Sequence, residues 1–146
     1  MQFDNSFSVH APIADVFAAV ADVERVIPCV PGAKVVERRG HDVYEVALKA
    51  QVGVMWRNFF GTLTMLERDE SAHRVVMRNR ARDASGRAVG EARIEIGLVE
   101  LGSHTNVSIY SRVTMVDHKL AEKTIHDAST KQMKEFADAL QTLVAG

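Results

Sequence analysis

The stretch LAEKTIHDASTKQMKEFADALQTLV, residues 120–144, decides how the rest of the chain is read. Its apolar and small residues Ala121, Ile125, Ala128, Phe136, Leu140 and Leu143 fall on one side when each residue turns the helix by about 100°. Charges take the other side. Asp127 with Lys131 and Lys134 with Asp138 are opposite charges four residues apart, and such exposed pairs add only about 0.2–0.5 kcal/mol each, so they mark the wet face rather than hold the helix. At 1.5 Å per residue the helix spans roughly 37 Å, enough to cross a small domain. Ser129 and Gln132 interrupt the apolar stripe next to alanines where a dense core favours leucine. The pattern fits a helix closing over a space, and equally a core helix that tolerates two polar residues.

Working backward, everything before this helix is short and mostly strand-like. Residues 2–9 alternate, with Phe3, Phe7 and Val9 on one side and Gln2, Asp4, Ser6 and Ser8 on the other, the period of a half-buried strand. Pro12 suits the first turn of a helix whose stripe is Val16, Phe17, Val20 and Ala21. A second helical piece, Val23 to Ile27, runs into Pro28-Cys29-Val30-Pro31-Gly32, which stops it. From Ala33 to Asp117, turn residues at Arg39-Gly40-His41-Asp42, Gly53, Asp69-Glu70-Ser71, Asp83-Ala84-Ser85-Gly86 and Gly102-Ser103-His104 divide the chain into six further strands. Tyr44, Val46, Leu48, Ala50 and Val52 alternate with a mostly polar set, which predicts an antiparallel sheet wet on one side. The expected fold class is α+β: a seven-stranded, curved antiparallel sheet wrapped around the long C-terminal helix, with two short helices after the first strand.

The chain has 146 residues, a length that one domain accommodates with ample core. A net charge of −1 gives nucleic acid no basic surface to meet. One cysteine, Cys29, excludes an internal disulfide and points to a reducing compartment. Neither a basic-then-apolar leader nor a run approaching ~20 apolar residues is present, so a cytoplasmic protein with no membrane span is expected.

Extending the alternation puts Met55, Arg57, Phe59, Gly61, Leu63 and Met65 on the inner face of one strand, and Val75, Met77, Asn79 and Ala81 on the next. Ala88, Gly90, Ala92, Ile94 and Ile96 follow, then Val107, Ile109, Ser111, Val113 and Met115, all provided that no bulge shifts the register. Small residues facing a partly small helix, with methionines around them, describe either an apolar ligand cavity or a core filled by pliable side chains. The candidate ligand-binding set is Arg57, Phe59, Met77, Asn79 and Ile109 from the sheet, with Ser129, Gln132, Met133 and Phe136 from the helix. An inward arginine needs an acceptor; Arg57 would find it on a ligand, on a carboxylate, or in water at the cavity mouth.

The outer face carries Arg78, Arg80, Arg82, Arg87, Arg93 and Arg112 interleaved with Glu91 and Glu95, a cross-strand charge lattice that also offers a docking surface for an acidic partner. Trp56 and Phe60 project on the same side and are the candidate contacts for a protein partner or a homodimer. Catalytic patterns are weak. The six histidines are scattered without metal-ligand spacing, Cys29 has no neighbouring base, and neither a phosphate loop nor a nucleophile elbow occurs, so no metal, cofactor or catalytic residue is expected.

Several segments together are specific. Val9-His10-Ala11-Pro12-Ile13-Ala14-Asp15-Val16-Phe17, Asp22-Val23-Glu24 and Cys29-Val30-Pro31-Gly32-Ala33, followed by Tyr44-Glu45, Val52-Gly53, Phe59-x-Gly61, Leu63-Thr64 and Gly90-Glu91-Ala92, resemble the carbon monoxide dehydrogenase G-subunit family of the START-like (SRPBCC) superfamily. The resemblance covers almost the whole chain and implies a helix-grip fold with a cavity under the long helix. It also implies an accessory factor of molybdenum-containing, carbon monoxide dehydrogenase-type hydroxylases, linked to membrane recruitment or quinone delivery. Some relatives continue into an apolar anchoring tail; this sequence stops at Gly146, so at most peripheral membrane contact is expected. Arg57 and Trp56 fall where the family more often has small or simple basic residues, which implies a different ligand or outer contact here. Three functions follow: a non-catalytic binder of an apolar small molecule, quinone or lipid-like; a cyclase or dehydratase using the same cavity; or an interaction module with a filled core.

Overall fold

The computed structural model describes residues 1–52, 54–116 and 118–145, and of these the side chains of Val52 and of residues 118–130 lie outside the description. Strand β1 (Gln2–Val9) leads into helices α1 (Ile13–Val20) and α2 (Val23–Val26) and a 3-10 turn (Ile27–Cys29). Strands β2 (Ala33–Gly40), β3 (Val43–Val52), β4 (Met55–Asp69), β5 (Arg74–Asp83), β6 (Ala88–Leu101) and β7 (His104–Met115) precede the long helix α3 (His118–Ala145). The sheet is antiparallel throughout, in the order β1-β7-β6-β5-β4-β3-β2. Six consecutive strands therefore pair with their sequence neighbours and β1 pairs with β7, which leaves β1 and β2 as the edge strands and puts the hairpin turns at the two ends of the sheet.

Local chemistry sets the boundaries. Asp22 accepts a hydrogen bond from the Glu24 N–H at 3.1 Å and so caps α2. After the 3-10 turn the chain reverses at Gly32, whose φ of +79° suits a residue without a side chain. A Cβ there would collide with the Lys49 carbonyl oxygen, because the Gly32 carbonyl accepts from the Lys49 N–H at 3.0 Å and draws β2 against β3.

The two ends of the sheet differ. At one end α1 and α2 pack with the C-terminal half of α3: Val9, Val16, Val20, Val23, Val75, Val107 and Leu140 are all completely buried. Each such side chain contributes roughly 1.5–3 kcal/mol by leaving water. Phe136 stacks edge-on against Phe7 with centroids 6.1 Å apart. Arg68 donates to the Ala21 carbonyl at 3.0 Å and to Asp42 at 3.1 Å, and Gln141 accepts from the His10 N–H at 2.7 Å. These bonds fasten helices to sheet. The other end carries the β3–β4 and β5–β6 turns, the end of β7 and the start of α3.

One expected register fails. Ala81 pairs with Gly90 but Arg82 pairs with Ala88, so a bulge falls between them. Paired residues share a face, and the extra residue turns Ala88 to the outer side beside Arg82, where it is exposed. A second bulge between Met65 and Glu67 turns Arg68 inward toward Ala21.

Candidate functional site

Along the inner face, burial falls from the helix-packed end toward the β3–β4 turn. Leu63, Met65, Met77, Ile96 and Ile109 are buried, whereas Phe59, Asn79, Ala81, Gly90, Ala92, Val113 and Met115 are half-buried. The half-buried wall lies at the end of the sheet where α3 begins. Its row Leu63–Asn79–Ala92–Val113 crosses four strands in register, and Gly61–Ala81–Gly90–Met115 runs beside it. Small residues in these rows hold the wall back from the helix axis.

Asn79 is the polar group in this wall with an unsolved bonding problem. Its Oδ1 is buried and has no hydrogen-bond partner among the described residues. The amide lies over Gly61, where a Cβ would collide with Oδ1. Glycine at 61 thus makes the space that Asn79 occupies. A buried, unpaired amide oxygen costs about 1–3 kcal/mol, and an amide can present either an acceptor or a donor edge to a ligand by rotation.

The other expected site residues divide. Phe59 is on the wall. Met77, Ile109 and Phe136 are buried in the core cluster, with Met133 packed against it, and Gln132 is half-buried. The side chain of Ser129 lies outside the described residues. Arg57 has the inward parity, opposite Ala50, but is exposed. Beyond Phe59 the strand extends toward its turn, so the expected inward arginine stands in water and needs no buried acceptor. Trp56 is 61% exposed, with the Lys49 ammonium 5.8 Å from its ring centroid, and Phe60 is half-buried.

The outer face holds the arginine lattice. Glu91 lies 3.8 Å from both Arg78 and Arg80, and Glu95 lies 3.2 Å from Arg74 and 3.4 Å from Arg93. Sequence reading does not find its most buried member. Glu45 is 5% exposed and pairs with Arg82, with Arg39 at 3.3 Å and with the Thr62 hydroxyl at 3.4 Å. The signal exists only as register, which sets Thr62 opposite both Glu45 and Arg80. An outer depression of about 360 Å³, lined by Arg93, Glu95, Tyr110 and Arg112, is too charged for an apolar guest.

Potential nucleophiles and ligands complete the survey. Cys29 is buried and its thiol contacts the Arg25 carbonyl at 3.7 Å; burial pushes its pKa up, partly offset by the Arg25 charge. Such a thiol stays protonated and unreactive at neutral pH. His10 and His104, remote in sequence, meet with ring centroids 4.0 Å apart. Among the described residues no three histidine, cysteine or acidic groups converge on a metal-sized point.

A single antiparallel sheet gripping a long helix defines a START-like, helix-grip protein. A START superfamily protein from Mycobacterium smegmatis is similar at TM-score 0.68 and 12% identity, covering 99% of this chain and 97% of its own. A conserved protein from Geobacillus kaustophilus is similar at TM-score 0.81 and 14% identity, covering 99% and 95%. The Zhui aromatase/cyclase from Streptomyces sp. R1128 is similar at TM-score 0.70 and 14% identity, covering 99% and 93%. No curated protein sequence matches the chain significantly. The chain belongs to the CoxG family, the carbon monoxide dehydrogenase G-subunit family, whose model matches residues 6–145.

Proposed function

We propose that the chain is a non-catalytic binding protein. It holds an apolar small molecule with one polar head, quinone or lipid-like, between the half-buried wall and the first half of α3. It serves a molybdenum-containing enzyme of the carbon monoxide dehydrogenase type, a partner that family membership supports. The observation that carries the ligand reading is the buried Oδ1 of Asn79, without a partner among the described residues, in a wall of small and apolar side chains. One hydrogen-bonding group within an apolar lining orients such a ligand while burial supplies affinity. The buried carboxylate that is described, Glu45, lies on the outer face and is engaged by arginines, so acid-base chemistry gains no support from it.

The test is native extraction of the purified protein and mass spectrometry of the extract, repeated on Ala92→Phe. Ala92 is half-buried beside Asn79 in the cross-strand row, and a phenyl group there fills the wall. A co-purifying apolar compound lost in the variant is the expected result. A wild type that carries nothing and binds none of a panel of quinones and lipids would refute the proposal.

A further inference from the structure

The outer face of the sheet sets like charges against each other. Arg78 stands directly opposite Arg93 across β5 and β6, and Arg93 directly opposite Arg112 across β6 and β7, so three guanidinium groups form one rung over three strands. Like charges in that position repel and weaken a sheet. Neighbouring carboxylates offset only part of the repulsion. Glu91 lies 3.8 Å from both Arg78 and Arg80, Glu95 is divided between Arg74 at 3.2 Å and Arg93 at 3.4 Å, and Arg74 also holds Glu67 at 3.0 Å. Arg112 is exposed and has no ion-pair partner among the described residues. Arg74, Arg78, Arg80, Arg93 and Arg112 thus share Glu67, Glu91 and Glu95, which leaves a local positive excess on a chain whose net charge is −1. Arg93 and Arg112 also line the outer depression of about 360 Å³ that Glu95 and Tyr110 complete, a seat of the size and polarity for a partner's polar side chain.

We propose that this rung is a docking site for an acidic helix of a partner protein, laid across the strands so that carboxylates at i, i+4 and i+7 meet Arg78, Arg93 and Arg112. Adjacent strands lie about 4.8 Å apart, so the rung extends about 9.6 Å. Seven residues of helix rise about 10.5 Å, a close match. An extended segment fits worse, because its same-side residues recur every ~6.7 Å and the third overshoots the rung. Glu91 and Glu95 stand two residues to either side of Arg93 on β6, and they decide against nucleic acid. A phosphate backbone offers them only negative charge, whereas a helix can present lysine, arginine or amide side chains beside its acidic stripe. The outer face lies across the sheet from α3, so the contact does not depend on a ligand at the inner wall, and a docked partner leaves that wall free.

The probe is a fluorescein-labelled helical peptide, rich in alanine and glutamine, with glutamates at i, i+4 and i+7. Its comparison peptide has the same composition with the glutamates spread around the helix. At low ionic strength the stripe peptide binds at least about tenfold more tightly by anisotropy, and added salt weakens it. Arg93→Gln and Arg112→Gln each weaken it about fivefold or more, and Lys134→Gln, at an exposed position of α3, leaves it unaltered. Arg112→Gln also raises the melting temperature by about 1–2 °C, since it removes a like charge opposite Arg93. An arginine that merely held the sheet together would lower it. No binding, equal affinity for the two peptides, or unaltered binding in Arg112→Gln overturns the proposal. So does a melting temperature that falls in Arg112→Gln. Tighter binding of single-stranded oligothymidylate than of the stripe peptide would assign the face to nucleic acid and equally overturn it.

Discussion

Asn79→Leu should make the protein more stable and a worse binder. Leucine has the same branched skeleton as asparagine, with two slightly bulkier methyl groups in place of the amide oxygen and nitrogen, and carries no polar atom. In the native wall Oδ1 is buried without a partner among the described residues, and leaving an acceptor unpaired costs about 1–3 kcal/mol. Removing it recovers most of that cost. The extra volume against Gly61, where the amide already leaves no room for a Cβ, takes back a part, so the expected net gain is about 1 kcal/mol. For a chain of this length that raises the melting temperature by about 2–4 °C. The assay is paired: thermal and urea denaturation of ligand-free protein, and affinity for whatever compound co-purifies with the wild type. Higher stability with at least about tenfold weaker binding, the worth of one hydrogen bond in an apolar site, is the expected pair. A loss of about 1 kcal/mol or more on denaturation would refute the reasoning, because it would mean that the amide is satisfied within the protein and holds the fold together.

Other perturbations follow from the same geometry. Gly32→Ala places a Cβ against the Lys49 carbonyl at a positive φ and should cost about 1–3 kcal/mol in urea denaturation; a loss under about 0.5 kcal/mol would show that the turn relaxes freely. Gly61→Ala pushes directly on the Asn79 amide, so it should weaken ligand binding more than it lowers stability, measured by the same paired assay. Glu45→Gln unbalances Arg82 and Arg39, whose side chains are 35% and 55% exposed and can turn to water; the expected loss is about 1–2 kcal/mol, below the ~3–5 kcal/mol of a fully buried pair. Asp83 has its pKa lowered, first by the Ser85 hydroxyl and then by the Arg87 N–H. Its folded value lies under its unfolded one, so its contribution is full above the ordinary carboxylate range and is lost as pH falls through the folded value. The Ser85 and Arg87 amide resonances should titrate below 3.8, and a midpoint at or above 3.8 would show the turn bonds absent in solution.

Strands and turns are legible in the sequence because each turn residue sits between segments of clear period two, and α3 because its period of 3.6 runs for many turns. Parity alone, however, states which face a residue takes and says nothing about how far along the sheet a covering element reaches. Arg57 and Leu63 both carry inward parity on β4; one stands beyond the covered region and the other is buried beneath it. Bulges are the second blind spot, since the one between Ala81 and Arg82 inverts Ala88 within a strand whose sequence otherwise reads as continuous alternation. The third is contact across strands. Glu45 and Arg82 are 37 residues apart, and Asn79 meets Gly61 only because β4 and β5 pair in one register.

The same gradient that defeats parity underlies the proposed function. One half of the sheet is locked by α1, α2 and the end of α3 through fully buried valines and the Arg68 and Gln141 hydrogen bonds. Those bonds hold the wall rigid without occupying its other half. There, Gly61, Ala81, Gly90 and Ala92 contribute little side chain, so the apolar surface they leave uncovered weakens the domain unless something else covers it. Under the proposed function, a ligand that binds only the folded chain restores that stability by mass action, with the Asn79 amide fixing which end of the guest enters. On that proposal the Asn79 amide oxygen, without a partner among the described residues, and the small residues are costs of the free protein that become contacts in the loaded one.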